Sequence, residues 1–306
     1  MRFDSKLNAV LLTNPISANV VTCKGKRYQI SFLKAYRQLV MGGNGVVYKA
    51  TSLNRDRTDY VIKICRFGYD GNIKEYAKKR IDRFEREIEA LNLANSEGLT
   101  NIVQIIADGS IELDGKSFRY FIMEKCDDNL STYLLNNEEV APSQKLLLYH
   151  QIIQGIQQLN AFFIYHRDIK SENILFKNGG IKVSDLGLVD NRNTDFIIEE
   201  YAEKIGPVGW LSPEAANKFL VEGTSNLYEH SCIIDSKSEV FQLGKLGWYI
   251  FNGNLPIGQI QSEDFKLGDE NLFGILFDAL QYNAERRIDV DTLLNRVHEL
   301  FPDYYI

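Results

Sequence analysis

The stretch Tyr165-His166-Arg167-Asp168-Ile169-Lys170-Ser171-Glu172-Asn173 carries the most specific signal in the chain. Asp168 can take a proton from an attacking hydroxyl group, and Lys170 can lie against a phosphoryl group during its transfer. Asn173 offers a neutral oxygen ligand for Mg²⁺, a hard cation that prefers oxygen. A chance match to H-R-D-x-K-x-x-N has a probability on the order of 10⁻⁴. An ordinary polar surface loop is therefore a poor explanation of this stretch.

A second carboxylate follows in Ser184-Asp185-Leu186-Gly187, directly after the strand-like run Gly180–Val183. An Asp that precedes a Gly by one or two positions is commonly part of a turn. Here one hairpin separates Asp185 from Asn173, so the two side chains can meet as a charged and a neutral ligand of one metal ion.

Upstream, Lys63 stands in the apolar run Tyr60-Val61-Ile62-Lys63. A lysine in a hydrophobic strand is costly to bury unless an anion meets it. Glu87 lies at the edge of an apolar stripe of a predicted helix over 72–95, and its carboxylate could supply that anion. In isolation, an outward-facing Lys63 and a solvated Glu87 are the commoner explanations.

A glycine turn, Val40-Met41-Gly42-Gly43-Asn44-Gly45-Val46-Val47, precedes Lys63 between two strand-like runs. Glycines let a backbone approach a phosphate closely. Alone this signal is weak, because most glycine-rich hairpins are structural.

Composition narrows the class of protein without naming a function. The chain has 306 residues, is 44% hydrophobic and 25% charged, and carries a net charge of −6. An acidic chain without a basic block is a poor candidate for nucleic-acid binding. Four scattered cysteines predict a reduced, cytoplasmic protein, and the absence of an apolar run of about 18 residues predicts no membrane segment. The pattern also predicts a strand-rich first part and helices over 146–163, 239–253 and 284–300.

Taken together, these motifs resemble the eukaryotic-type (Hanks-type) Ser/Thr protein kinase family over about residues 32–300. The resemblance implies an α+β bilobal fold, with an antiparallel sheet and one main helix in the N-lobe and a mostly helical C-lobe. The implied domains are an N-terminal extension over 1–28, an N-lobe over 29–125 and a C-lobe over 126–306.

The resemblance implies transfer of the γ-phosphate of MgATP to a protein Ser/Thr hydroxyl, with autophosphorylation as one outcome. Asp168 would be the catalytic base, assisted by Lys170, Lys63 and Glu87, and Asn173 and Asp185 would hold Mg²⁺. The implied ATP-contacting residues are Gly42, Gly43, Asn44, Gly45, Val47, Val61, Lys63, Met123, Glu124, Cys126 and Leu175. Further expected contacts are a stack of Leu91, Ile105, Leu186 and His166, and an ion pair between Glu214 and Arg287.

Several positions depart from the family pattern. Val40 replaces the first loop glycine, Val61 replaces Ala, Pro207 replaces a Thr, and Glu239 replaces the Asp that anchors the catalytic loop. These changes keep a second hypothesis open, a pseudokinase that acts as a binding or scaffold module. A third, a small-molecule kinase of related fold, is disfavoured by Ser212-Pro213-Glu214 and its expected Arg287 partner.

The activation segment and the region after it carry three further expectations. Thr194 and Tyr201 are candidate phosphorylation sites, while Glu199, Glu200 and Glu203 could supply negative charge permanently. The long spacing from Glu214 to Glu239 predicts an extra loop over 217–235. Neither the natural substrate nor the oligomeric state follows from these patterns.

Overall fold

The computed structural model describes residues 1–54, 57–71, 73–137, 139–191, 203–222 and 230–304. It divides into two compact units. The N-terminal unit comprises Met1–Gly98 and Val103–Cys126, and the C-terminal unit comprises Leu99–Ile102 and Asp127–Ile306. Four predicted regulatory residues lie outside the described residues: Thr194, Glu199, Glu200 and Tyr201.

The N-terminal unit is built on an antiparallel sheet of seven strands. Alternating apolar residues on these strands give the sheet two different faces. The sheet order is β3-β4-β6-β7-β9-β8, with β5 paired to β6. The elements are β1 (Arg2–Asp4), β2 (Ala9–Leu11), β3 (Val20–Cys23), β4 (Lys26–Ser31), β5 (Val40–Met41), β6 (Gly45–Ser52), β7 (Asp59–Cys65), α1 (Glu75–Ser96), β8 (Ile105–Leu113) and β9 (Lys116–Glu124).

Residues 1–28 pack into this unit. Strands β1 and β2 form a hairpin, and β3 extends the large sheet beside β4. Val10 is fully buried, and its carbonyl accepts a hydrogen bond from the Tyr48 hydroxyl at 2.8 Å. The Phe3 ring packs on Phe118 with centroids 5.0 Å apart. The segment therefore contributes to the hydrophobic core of the sheet.

The C-terminal unit is mostly helical around one buried helix. That helix, α5 (Ser236–Asn252), is apolar on nearly every side, and most of its residues are buried at the centre of the unit. Gly247 of α5 faces Tyr149 so closely that a Cβ there would lie 2.6 Å from the ring. The elements are β10 (Asp128–Asn129), α2 (Leu130–Asn136), α3 (Pro142–Asn160), β11 (Ile164–Tyr165), β12 (Ile174–Lys177), β13 (Gly180–Val183), β14 (Asp190–Asn191), α4 (Pro213–Val221), α5 (Ser236–Asn252), α6 (Glu270–Ala279), α7 (Val290–Glu299) and α8 (Phe301–Tyr304).

Several sequence-based predictions of this unit are wrong in their bounds. The helices predicted over 146–163 and 239–253 are Pro142–Asn160 and Ser236–Asn252. The helix predicted over 284–300 begins only at Val290, because the Asp289 carboxylate caps it by accepting the N–H of Thr292 at 2.7 Å. The extra loop predicted over 217–235 begins later, because α4 continues to Val221. These errors concern the residues where a helix begins or ends, which an apolar pattern defines poorly.

Two further observations concern the described residues as a whole. None of their helices is long and apolar enough to cross a bilayer. All four cysteines are described, and no disulfide joins any two of them.

Candidate active site

Lys63 and Glu87 form a buried ion pair within the N-terminal unit. The Lys63 Nζ lies 2.7 Å from Glu87 Oε1 and 2.8 Å from Oε2. Lys63 is 9% exposed and Glu87 is 1% exposed. Strand β7 places the lysine, while burial of Phe84, Ile88 and Leu91 turns the glutamate of α1 inward. Each charge offsets the cost of burying the other.

The neighbours of Lys63 on the sheet are the residues predicted to contact a nucleotide. Val47 lies directly opposite Lys63, and Met123 lies opposite Val61. Because side chains alternate along a strand, these four residues share one face of the sheet. Their shared face forms an apolar surface next to the ammonium group.

The glycine turn approaches the Lys63 side chain. A Cβ on Gly45 would lie only 2.8 Å from Lys63 Cγ and 2.9 Å from Cε. Gly42 closes the turn by donating its N–H to the Gly45 carbonyl at 2.9 Å. Gly45 is therefore required for close packing against the lysine stem, a requirement that the sequence pattern alone did not reveal.

Arg80 of α1 also reaches this turn, which the sequence pattern did not predict. Its guanidinium donates to the Asn44 side-chain oxygen at 3.0 Å and packs over the Tyr76 ring at 5.2 Å. Arg80 stands in the first half of a helix with many charged residues, so the sequence alone suggests that its side chain faces solvent. The contact brings a second positive charge to the turn that follows β5.

In the C-terminal unit, the side chains of Lys170 and Asn173, two later residues of the same motif, hold the Asp168 carboxylate. Its Oδ2 accepts hydrogen bonds from Lys170 Nζ at 2.6 Å and Asn173 Nδ2 at 3.0 Å. Asn173 Nδ2 also donates to the Asp168 carbonyl at 2.8 Å. The other carboxylate oxygen, Oδ1, is buried and has no hydrogen-bond partner among the described residues. Such an orphaned acceptor is suited to receive a hydrogen bond, and then a proton, from a hydroxyl group.

Asn173 and Asp185 flank the open end of the β12–β13 hairpin. Ser184, between β13 and Asp185, donates its N–H to the Asn173 carbonyl at 2.8 Å. The amide nitrogen of Asn173 is occupied by Asp168, so its side-chain oxygen is the atom left to face a cation. Asp185 has a left-handed backbone, φ 61°, and is exposed. One amide oxygen and one carboxylate fit Mg²⁺, which keeps several waters and phosphate oxygens as further ligands.

A sequence model described as "Protein kinase domain" matches residues 33–295. The chain belongs to the protein kinase family. It is 32% identical over 221 residues to the Ser/Thr-protein kinase PrkC of Bacillus subtilis, an alignment of 71% of this chain and 30% of that protein. It is 22% identical over 298 residues to the dual specificity protein kinase Ttk of Danio rerio, covering 92% of this chain and 28% of the relative.

A third relative is the probable Ser/Thr-protein kinase PknB of Corynebacterium glutamicum, 29% identical over 201 residues, 63% of this chain and 29% of that protein. The chain aligns with less than a third of the length of each of these relatives. Membership in the family and the bilobal kinase fold are thus confirmed, as the motifs predicted.

The loop over residues 166–173, which the family resemblance implies is the catalytic loop, is anchored to α5 through Glu239. Its Oε1 accepts the backbone N–H groups of His166 and of Arg167, the latter at 3.0 Å. Its Oε2 accepts a hydrogen bond from Asn160 Nδ2 at 2.5 Å. The anchor therefore exists with glutamate in place of aspartate, and Asn160 at the end of α3 receives the far end of the longer side chain.

Burial changes the protonation of the groups at this anchor. Glu239 is 1% exposed, and burial raises its pKa to about 7 although the surrounding N–H groups favour the charged form. Burial lowers the pKa of His166, which favours the neutral ring. Its Nδ1 accepts the Asp168 N–H at 3.2 Å, so the proton belongs on Nε2, which lies 3.0 Å from the Ser184 carbonyl.

Gln242 of α5 is a second anchor that the sequence analysis missed. Its Nε2 donates to the carbonyls of Arg167 at 3.3 Å and Trp210 at 3.4 Å. A buried polar residue inside an otherwise apolar helix was the available signal, because such a group needs partners. Gln242 thereby links the catalytic loop to the segment that precedes α4.

That segment also approaches Asp168 itself. Gly206 has φ 96°, and a Cβ there would lie 3.4 Å from the Arg167 carbonyl and 3.9 Å from Asp168 Oδ1. Pro207, the next residue, carries no hydroxyl group that could meet this oxygen. The Pro207 departure is therefore consistent with the unpartnered state of Asp168 Oδ1.

Two ion pairs support the C-terminal unit. Arg287 pairs with Glu214 through contacts of 2.9 and 3.3 Å, as expected from the family resemblance. Arg167 pairs with Asp190 of β14 at 2.7 Å, a partner that the sequence analysis did not single out. A carboxylate of the chain thus supplies Arg167 with negative charge without phosphorylation.

The remaining predicted residues lie within their own units. Leu91 and Ile105 are buried in the N-terminal unit, and Leu186 and His166 in the C-terminal unit. Leu175 lies in β12 of the C-terminal unit. Glu124, one of the residues whose backbone is predicted to contact ATP, donates its N–H to the Gln104 carbonyl at 2.9 Å.

Proposed function

We propose that this kinase transfers the γ-phosphate of MgATP to a Ser or Thr hydroxyl of a protein, with Asp168 as the catalytic base. The observation that carries the proposal is the buried Oδ1 of Asp168, which has no partner among the described residues. A substrate hydroxyl could donate to this oxygen and transfer its proton there as it attacks. Lys170 and Asn173 hold the other oxygen, and so orient the carboxylate.

The nucleotide would be held by the face of the sheet that carries Lys63. Val47, Val61 and Met123 offer apolar contact, and the ammonium of Lys63 would meet phosphate oxygens while Glu87 fixes its position. Asn173 and Asp185 would hold Mg²⁺, which would neutralise charge on the phosphates. The reaction needs little more from the protein than positioning and charge compensation.

Three features support a hydroxyl-bearing protein substrate. The Glu214–Arg287 pair holds the first turn of α4, and small-molecule kinases of related fold generally lack both this pair and the Ser212-Pro213-Glu214 segment. Lys170 stands where Ser/Thr-specific kinases carry lysine. Two of the relatives are named as Ser/Thr kinases, and the dual specificity of Ttk makes tyrosine a second residue to examine. Autophosphorylation belongs to the same proposal, and a cytoplasmic location stays a prediction.

The test is phosphate transfer by purified protein, followed by intact mass and site mapping. Wild type should phosphorylate itself or a generic protein on Ser or Thr, and Asp168→Asn should lower the rate by ~10²-fold or more. Folding of the variant is checked by its thermal melt. Two equally inactive, folded proteins would contradict the proposal. MgATP binding without turnover would support a pseudokinase scaffold instead, the alternative that Val40 and Pro207 keep open.

A further inference from the structure

The C-terminal unit contains a cavity of about 340 Å³ between α5, the chain that follows it and the end of α6. Small-molecule sites in proteins typically measure about 300–1,000 Å³ and have mostly apolar walls. The walls here include Phe241, Ile260, Phe277 and Leu280, with Gln281 among the polar groups. The cavity shares no residue with the candidate active site.

Of the described residues that line this cavity, Lys245 is the one with a charged side chain. Its Nζ donates to the Gly209 carbonyl at 2.9 Å and lies 5.5 Å from the centroid of the Phe241 ring. Among the described residues, Lys245 makes no ion pair with a carboxylate. Burial lowers its pKa, which reflects the cost of keeping the charge there. Lys63, by contrast, is buried but has Glu87 as its acidic partner.

We propose that this cavity binds a small organic molecule with an apolar or aromatic body and a single carboxylate that pairs with Lys245. The carboxylate would form a charge-assisted hydrogen bond with an ammonium that has no acidic partner. The apolar body would gain contact with the aromatic and aliphatic walls. A neutral molecule of the same shape would keep only the second contribution.

The site is connected to the loop around Asp168 through three hydrogen bonds made by two residues of α5. Lys245 binds the Gly209 carbonyl, and Gln242 binds the carbonyls of Trp210 and Arg167. A carboxylate that draws the ammonium into the cavity would therefore change the support of the segment from 206 to 211. This segment faces Asp168 through Gly206. We therefore expect ligand binding to alter the segment from 206 to 211 as well as the cavity.

The first experiment compares two probes on the wild-type protein by isothermal titration or ligand-observed NMR. 3-Phenylpropanoate should bind at least about ten-fold more tightly than 3-phenylpropanamide, because only the acid can pair with the ammonium. The preference for the acid should weaken at high salt, because salt screens the solvent-exposed part of the attraction between carboxylate and ammonium. Equal binding of the two probes, or no binding of either, would overturn the proposal.

The second experiment assigns the preference to Lys245. Lys245→Met keeps most of the stem and should abolish the preference for the acid while raising or preserving the melting temperature. The matched control is Lys145→Met, which alters a lysine in a separate cavity of about 430 Å³. Loss of the preference in Lys145→Met, or its retention in Lys245→Met, would contradict the assignment.

Hydrogen exchange then tests the connection to the catalytic loop. 3-Phenylpropanoate should alter exchange at Gly209 and Trp210 in wild type and leave it unchanged in Lys245→Met. Unchanged hydrogen exchange at Gly209 and Trp210 in wild type would overturn the proposed coupling. None of these measurements requires phosphate transfer, so this proposal and the proposed kinase activity can fail independently.

Discussion

Two buried glutamates lie beside the groups that we propose for phosphate transfer, one in each unit, and they are stabilised in different ways. Glu87 and Glu239 are each 1% exposed. Glu87 meets a full positive charge on Lys63, whereas Glu239 meets the backbone N–H groups of the catalytic loop and the amide of Asn160. The first arrangement balances a charge with a charge, and the second balances a charge with dipoles.

The difference has a chemical consequence. A carboxylate surrounded by dipoles can relieve its burial by taking a proton, and the pKa of Glu239 is raised to about 7. A carboxylate in an ion pair depends instead on its partner. Removing Lys63 would strand a buried charge, whereas the Glu239 anchor should tolerate a neutral residue that can still accept hydrogen bonds.

The largest expected effect follows from breaking the ion pair. Lys63→Met should destabilise the N-terminal unit by about 3 kcal/mol, because Glu87 loses its counter-charge. Phosphate transfer should fall by ~10²-fold or more, because the cation at the phosphates is lost. Urea unfolding and a turnover assay measure the two effects.

The control for this prediction is the double variant Lys63→Met with Glu87→Leu. It should regain most of the stability while remaining inactive, since an apolar pair replaces the ion pair. If the double variant were as unstable as Lys63→Met, the loss would arise from packing and not from the uncompensated charge.

Removing the Glu239 anchor should have a smaller effect on stability than breaking the Lys63–Glu87 ion pair. Glu239→Ala leaves the N–H groups of His166 and Arg167 without an acceptor, at a cost of about 1–3 kcal/mol. The loss of loop position should lower kcat more than it changes KM for ATP. Glu239→Gln keeps an acceptor oxygen and should retain most of the activity. Equal kinetic damage in both variants would show that the negative charge itself is needed.

The protonation of Glu239 predicts a pH dependence of stability. The native pKa, about 7, lies above the ordinary value of 4.5, so the native state holds this proton more tightly than the unfolded chain. The contribution of Glu239 to the free energy of unfolding is therefore fully present below about pH 4.5 and is lost as the pH rises through 7.

This prediction is tested as a difference between two proteins, because His166 titrates in the opposite sense. The unfolding free energy of wild type minus that of Glu239→Gln should fall between pH 5 and 8. A flat difference over this range would mean that Glu239 is ionised throughout.

The smallest expected effect concerns the glycine turn over 40–47, which packs against Lys63, the partner of Glu87. Arg80→Met removes a partly buried hydrogen bond to Asn44, so the glycine turn should be held less firmly. KM for ATP should rise by about three- to ten-fold, with little change in the melting temperature. Lys79→Met, on the same helix, is the matched control and should leave KM unchanged.

The candidate site was predictable where its residues are close in sequence or separated by a regular element. Asp168, Lys170 and Asn173 occur in one stretch, and the Lys63–Glu87 pair follows from a strand and a helix with known periodicities. Arg80, Asn160, Asp190 and Gln242 were missed because each acts through a contact distant in sequence. Local pattern does not specify such contacts, and each residue alone resembles an ordinary polar side chain.

By itself, the sequence determined the family, the order of the motifs and the identity of the groups available for chemistry. It did so because phosphoryl transfer requires particular donors, acceptors and metal ligands at nearly constant spacing. Only the tertiary structure decided how those groups are held: that Gly45 must lack a side chain, that Glu239 reaches both the loop and Asn160, and that Lys245 lines a cavity without a carboxylate. These properties depend on distances between segments far apart in the chain, and packing of the whole unit sets those distances.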